Sequence, residues 1–352
     1  MFLFVFAAFF LFFVVIRFPR NIHVYWLLLI IGVCLMGFNY DNPDYDNYVV
    51  RFELAEYPTT DNILSILDFG YDCFQAFFKD VGITDYNHFR RVQALLVFIV
   101  LGIFTYKNCY YKNVFLYIYI FCFLILDTVQ IRNLVAFIVL IPFIPLLRRK
   151  DKKACLLYTL GLVLSISFHF SMVFFSIFII MFVKSRRNKI IAVFLLAILF
   201  AFSATIISQL PAFDRVSDYS RSSVLGAAFM ASHCVISTYI IDKIFYPATL
   251  NIAGTQVMNL PPSLMRAFNT LFLIIIPFFL INASINRIFR YVGLVNIMFM
   301  LNVIYYARGH IRRKLTIWLL LYATYFGIYY VYMKPEVYES VLSYNNFLDC
   351  LF

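Results

Sequence analysis

Polar and ionisable side chains at the ends of long apolar runs are the residues of this sequence best suited to chemistry. Arginine presents a fixed fork of donors that matches phosphate oxygens, and it stays charged at any relevant pH. A carboxylate or an imidazole can take a proton from a hydroxyl group. The set comprises Asp44, Tyr45, Asp46, Tyr48, Arg51, Gln130, Arg132, His169, Arg287, Arg290 and Tyr291. If folding brings these side chains together, they form a polar pocket for a phosphate-bearing substrate.

The arginines are the candidates for binding the phosphate groups. Arg132 precedes an apolar run at a predicted helix start, where backbone N–H groups add partial positive charge. The alternative for Arg132, Arg287 and Arg290 is that each anchors its helix by reaching the lipid headgroups.

His169 and Asp44 are the candidates for a catalytic base. The alternative for His169 is a hydrogen bond to Ser171 or to a backbone carbonyl group that packs two helices together. The alternative for the carboxylates is turn formation after Pro43. Asp41, Asp44 and Asp46 lack the ligand spacing of a known metal motif, so we expect no metal ion and no cofactor.

The composition places these residues in a membrane protein. Of the 352 residues, 63% are hydrophobic and only 13% are charged, which is too few to cover a water-soluble domain. The net charge of +11 comes from short basic clusters between apolar runs, as in cytoplasmic loops of membrane proteins. Nucleic acid is not an expected partner, because binding it requires one contiguous basic face.

The apolar runs predict an all-α, polytopic helical bundle that forms a single membrane domain over residues 1–352. Placing the basic clusters in the cytoplasm leaves two external loops, 39–91 and 209–223. Loop 39–91 holds ten of the 18 acidic residues and is expected to cap the polar pocket. The spacing of Phe74, Phe77 and Phe78 predicts an amphipathic helix on the membrane surface or, alternatively, a packed cap. The twelve predicted spans are 1–16, 22–38, 92–106, 113–127, 133–147, 154–168, 170–183, 189–208, 224–241, 266–284, 291–306 and 315–333.

Five short motifs occur in an order that resembles the EpsG-like branch of bacterial Wzy-type polysaccharide polymerases. Three positions depart from that family's pattern: no Arg closely precedes Asp44, Asp68 stands where Glu is usual, and Asn133 stands where Gln is usual. Arg51 is a possible substitute for the missing Arg. The motifs are DYDNY at 44–48, DFGY at 68–71, QIRN at 130–133 with Ala136, FHFS at 168–171 and RIFRY at 287–291.

The resemblance implies a glycosyl transfer at the outer face of the bacterial plasma membrane. An oligosaccharide on undecaprenyl pyrophosphate would be moved onto the next lipid-linked repeat unit, with a flippase and a chain-length regulator as pathway partners. Arg132, Arg287 and Arg290 would bind the pyrophosphate, and His169 or Asp44 would act as the base. The sugars would contact Tyr45, Asp46, Tyr48, Arg51, Gln130 and Tyr291.

Three other functions fit a polytopic, basic chain. A ligase that transfers a finished glycan would use nearly the same chemistry, and only the family resemblance favours the polymerase. A flippase or other transporter would place ionisable groups near the middle of the membrane rather than at helix ends. A non-catalytic assembly partner would not need the charges of Arg132, His169 and Arg287.

Overall fold

The computed structural model describes most of the chain as helix. Within the described residues there is no β-strand, and the one isolated β-bridge joins Asn39 to Asn345. The all-α prediction is therefore confirmed for this part of the chain. The described residues are 2–58, 69–149, 151–185, 187–196, 198, 224–252, 259–280, 286–328 and 335–349.

The helices follow the apolar runs of the sequence, and several change from α to π or 3₁₀ geometry along their length. The first seven are α1 (Phe2–Arg17), α2 (Ile22–Gly37), α3 (Tyr45–Glu53), α4 (Phe69–Asp80), α5 (Tyr86–Asn108), α6 (Lys112–Val129) and α7 (Ile131–Arg148). Next come α8 (Lys152–Phe168), the 3₁₀ helix α9 (Phe170–Phe182), α10 (187–196) and α11 (224–250). The last are α12 (262–280), α13 (Asn286–Tyr306), α14 (Gly309–Gly327), α15 (Pro335–Ser343) and α16 (Asn346–Asp349).

Four described helices are long and apolar enough to cross a membrane, judged by length and composition. They are α5, α6, α7 and the Ile288–Tyr306 part of α13. Shorter apolar helices include Ala8–Arg17, Ile22–Gly37, Phe170–Phe182 and Pro262–Ile276. Helix begins or continues at every predicted span, but parts of four spans, and the whole 209–223 loop, lie outside the described residues. The chain is a multi-pass membrane protein, and the number of twelve spans stays a prediction.

The apolar helices pack through one face and leave apolar side chains on the other. On α2 and α5, the fully buried Leu28 and Phe98 lie inside, and Gly32 leaves room for the Phe98 ring. On the outer face of α5, Ile99 and Ile103 are exposed. Apolar side chains that face outward in this way are suited to contact with lipid, which satisfies no polar group.

The described chain divides into two compact units, which contain different motifs. Unit 1 comprises Met1–Ile138, Ser167–His169 and Thr316–Phe352, and unit 2 comprises Val139–Ile166 and Phe170–Leu315. Unit 1 holds the 44–48 and 130–133 motifs, the described residues of the 68–71 motif, and Phe168 and His169. Unit 2 holds the remaining residues of the fourth motif and the whole 287–291 motif.

The described part of the predicted loop 39–91 is largely helical. Gly82 ends α4 with a φ of 97°, a left-handed conformation that glycine adopts without strain, and Ile83 N–H donates to the Phe78 carbonyl group at 2.9 Å. Asp85 then caps α5, because its carboxylate accepts from the His88 N–H at 2.9 Å. The helix expected from the phenylalanine spacing is thus confirmed as α4.

The phenylalanines of α4 divide between packing and exposure. Phe74 lies edge-on to Phe89 and Phe168, with ring centroids 5.6 and 5.8 Å away, whereas Phe77 is 53% exposed. One side of α4 therefore packs against its neighbours, which favours the packed-cap interpretation for that side.

Candidate functional site

Tyr71 occupies the centre of the candidate site in unit 1. Its side chain is fully buried, and its hydroxyl group accepts a hydrogen bond of 2.9 Å from Gln93 Nε2 on α5. This bond joins α4 to α5. Because Tyr71 belongs to the 68–71 motif, it is the reference point from which the other motifs are located.

Gly70 brings α4 directly onto the segment that carries His169. A Cβ atom at Gly70 would lie only 2.3 Å from Ser167 Oγ and 3.0 Å from the Ser167 carbonyl carbon, so any larger residue requires α4 or Ser167 to move. His169 follows two residues later, between α8 and α9, and is 9% exposed. The structure thus joins the described part of the 68–71 motif to the Phe168–His169 pair, whereas Asp68 lies outside the described residues.

Arg51 lies against Tyr71 from α3. Its Nε and Nη2 atoms donate to the two carboxylate oxygens of Asp72 at 2.7 and 3.0 Å, and its Cζ is 5.8 Å from the Tyr71 ring centroid. A two-pronged pair of this kind fixes both side chains. Arg51 therefore connects α3 to α4, a structural role that the sequence interpretation did not include.

The 44–48 motif forms the junction into α3 and its first turn. Tyr45 donates to Asn87 Oδ1 at 2.7 Å, and burial raises the pKa of its phenol above the ordinary value. Asp44 is half-buried just before the helix, and its N–H donates to Asn42 Oδ1 at 3.1 Å. Asp46 is exposed in the first turn.

Arg132 and Tyr48 both act electrostatically on Tyr71. Burial raises the pKa of Tyr71 well above 10, the Tyr86 and Tyr48 phenols raise it further, and the Arg132 guanidinium acts in the opposite direction. Arg132 is partly buried in the first turn of α7. Gln130, at the joint between α6 and α7, accepts at its carbonyl from the Asn133 N–H at 3.1 Å. Residues of two other motifs, Tyr48 and Arg132, thus act on the environment of Tyr71.

The fifth motif begins α13 in unit 2. Arg290 and Tyr291 are fully buried, Arg290 Nη2 donates to the Tyr291 hydroxyl at 3.2 Å, and its Cζ is 5.1 Å from the Tyr291 ring centroid. A headgroup anchor keeps its charged end in water, so this burial disagrees with that alternative for Arg290. Arg287 lies in the first turn of α13, and its side chain lies outside the described atoms.

Two further features bear on the chemistry. Among the described residues, no group of three or more His, Cys, Asp or Glu side chains is arranged to hold a metal ion. Arg90, which was not a candidate, is fully buried beside the 44–48 and 130–133 motifs. The only signal for it in the sequence is its place as the first Arg of the Arg90–Arg91 pair before an apolar run, which suggests an interfacial anchor instead.

The fold and the site define a multi-pass, all-helical membrane protein with arginine, tyrosine and histidine side chains gathered on short helices and turns between apolar segments. The model of the EpsG family matches residues 22–346, and the chain therefore belongs to the EpsG family. No curated protein and no solved structure matches the chain. The resemblance drawn from the motifs is confirmed, and membership indicates a membrane polysaccharide polymerase.

Proposed function

We propose that this protein joins oligosaccharide repeat units into a polysaccharide at the outer face of the bacterial plasma membrane, using an undecaprenyl-pyrophosphate-linked donor. The observation that carries this proposal is the arrangement around Tyr71. It brings the side chains of Arg51 and Asp72 and the charge of Arg132 to the helix that packs directly on the His169 segment. A site of that kind offers both a cation for a diphosphate and a proton acceptor for a hydroxyl group.

The proposed reaction is a substitution at the anomeric carbon of the donor glycan. A hydroxyl oxygen of the acceptor repeat unit forms the new bond, and the bond from the anomeric carbon to the pyrophosphate oxygen breaks. The hydroxyl proton passes to His169 or Asp44, and undecaprenyl pyrophosphate leaves with the bonding electron pair. The reaction needs no metal ion or other cofactor.

Arg132 is assigned to the pyrophosphate, whose negative charge grows as it leaves. Its place in the first turn of α7 adds the partial positive charge of a helix N-terminus. Arg287 and Arg290 are assigned to the same group, as the family resemblance implies. Tyr45, Asp46, Tyr48, Arg51, Gln130 and Tyr291 are assigned to the sugars, with tyrosine rings as stacking surfaces.

The test is the length profile of the glycans made by a deletion strain that carries each variant on a plasmid. Wild type should restore a ladder, whereas Arg132→Ala, Arg132→Lys and His169→Ala should leave a single repeat unit. Arg132→Lys should fail because an ammonium group lacks the two-pronged fork. Membrane levels of every variant are measured in parallel.

Two control variants remove the same residue types at exposed positions. Arg149→Ala removes an arginine that is 52% exposed and paired with Asp151, and His88→Ala removes a histidine that is 67% exposed. Both should give the wild-type ladder. Normal ladders from Arg132→Lys and His169→Ala would disprove the residue assignment. Single units trapped in the cytoplasm of the deletion strain would indicate a flippase, and full-length free polymer that is not transferred would indicate a ligase.

A further inference from the structure

Arg90 is a fully buried guanidinium in unit 1, and none of its hydrogen-bond partners among the described residues is a carboxylate. Nε donates to the Met36 carbonyl at 3.0 Å, and Nη2 donates to the Thr128 carbonyl at 2.9 Å. Nη2 also donates to Asn39 Oδ1 at 3.2 Å, and Nη1 approaches the Tyr86 hydroxyl at 3.4 Å. All of these acceptors are neutral, which is unusual for a buried cation.

The two carbonyl acceptors explain how a buried charge is tolerated here. Met36 lies in the last turn of α2 and Thr128 in the last turn of α6. The last carbonyl groups of a helix have no partner within it, and each helix C-terminus carries about −0.5 of an elementary charge. Two such ends therefore offset about one positive charge. Arg90 caps the C-termini of both helices at once.

Each helix end that Arg90 closes leads into a segment of the candidate site. Beyond α6 come Gln130 and Arg132, two and four positions after Thr128. Beyond α2 comes Asn39, whose Oδ1 also accepts from Asn42 Nδ2 at 2.7 Å.

The hydrogen-bond chain that starts at Arg90 ends at the candidate base. Asn42 Oδ1 accepts from the N–H of Asp44 at 3.1 Å, so the chain runs from Arg90 through Asn39 and Asn42 to Asp44. Asn39 also donates to the Val341 carbonyl at 3.3 Å, which anchors the same chain to α15.

We propose that Arg90 is a positioning residue. It holds the segment of the candidate base Asp44 and the turn of the pyrophosphate-binding Arg132 in a fixed position relative to each other. This inference rests on the proposed function for the identity of the two segments. Arg90 itself touches no substrate. It acts by tying the end of α2 to the end of α6, from which the two site segments emerge.

The first test is hydrogen exchange on the purified full-length protein in detergent, read by mass spectrometry over peptides 39–48 and 128–134. Arg90→Lys should speed exchange in both peptides, because a single ammonium group cannot span both carbonyl groups. Asn42→Ala should speed exchange in 39–48 only. Arg91→Lys is the matched control: it keeps a cation near the Phe38 ring, 4.8 Å from Cζ in the wild type, and should change neither peptide.

The second test is turnover with the lipid-linked repeat unit extracted from the deletion strain. Arg90→Lys should lower kcat about 10- to 100-fold, the loss expected when reacting groups are displaced by about 1 Å. Its KM should stay within about twofold, since no group that touches the substrate is removed. Asn42→Ala, which leaves Arg90 in place, should lower kcat about tenfold.

The outcomes separate the inference from the proposed function. Unchanged exchange in both peptides of Arg90→Lys would show that Arg90 does not hold the ends of α2 and α6 together. Faster exchange with an unchanged kcat would overturn the positioning role. A loss of folded protein in Arg90→Lys leaves Asn42→Ala to decide, because wild-type exchange and kcat in that variant would overturn the proposal. If wild type makes no polymer, the proposed function fails. Hydrogen exchange alone then decides whether Arg90 holds the ends of α2 and α6 together.

Discussion

Replacement of Gly70 by alanine should damage both stability and turnover, because α4 packs there without space for a Cβ atom. The added methyl carbon would lie 2.3 Å from Ser167 Oγ, 2.9 Å from Ser167 Cβ and 3.0 Å from its carbonyl carbon. Rotation about the Ser167 Cα–Cβ bond can move Oγ away, but it moves neither Cβ nor the main-chain carbon. These two atoms lie 0.5 and 0.4 Å inside the 3.4 Å at which ordinary contact begins, so α4 or the Ser167–His169 segment must move by about that amount.

The size of the effect follows from this displacement. Overpacking of this kind costs about 1–3 kcal/mol of folding free energy. A shift of a few tenths of an ångström between Tyr71 and His169 should lower kcat about tenfold, since a 1 Å misplacement can cost about 100-fold. Gly70→Ala is therefore expected to lower the midpoint of thermal unfolding in detergent and to shorten the glycan ladder.

A second substitution tests whether the contact with Ser167 is the cause. Ser167→Gly removes two of the three close atoms, so the double variant should recover part of the lost stability and turnover, with the main-chain contact remaining. The assays are thermal unfolding by circular dichroism and initial rates with extracted lipid-linked repeat units. A wild-type midpoint together with a wild-type rate in Gly70→Ala would show that the α4 contact tolerates the added methyl group.

Three further predictions concern other polar contacts. The Arg51–Asp72 pair, with side chains 27% and 18% exposed, should show a coupling of about 1 kcal/mol in a double-mutant cycle of thermal unfolding, and zero coupling would refute it. Asn269 and Asn296 exchange amide hydrogen bonds of 2.7 and 2.8 Å in unit 2. Asn296→Leu alone should cost about 1–3 kcal/mol, whereas replacing both by Leu should cost less, which the same unfolding assay decides. Burial raises the pKa of Tyr71 well above 10, so the unfolded chain loses this proton first and stability should fall above about pH 10. Tyr71→Phe should lose that part of the pH dependence, and an unchanged alkaline profile would contradict the assignment.

The class of the protein and most of its helices are predictable from the sequence. Membrane character follows from composition, because too few charged residues are present to cover a soluble fold. The helix of α4 follows from the spacing of its phenylalanines, and the turn after it from Gly82, because both depend on local backbone and side-chain geometry. Motif order was enough to indicate the EpsG family.

The contacts between distant polar residues are visible only in the folded protein. The assignment of Arg51 to the substrate stays a prediction, but the structure alone shows that its guanidinium binds Asp72, which lies 21 residues away in the chain. Arg90 closes two helices whose carbonyl groups lie 54 and 38 residues away. The need for Gly70 appears only beside Ser167. A sequence shows residue types and local periodicity, whereas the partner of a buried charge or the neighbour of a missing Cβ is fixed by how distant helices pack.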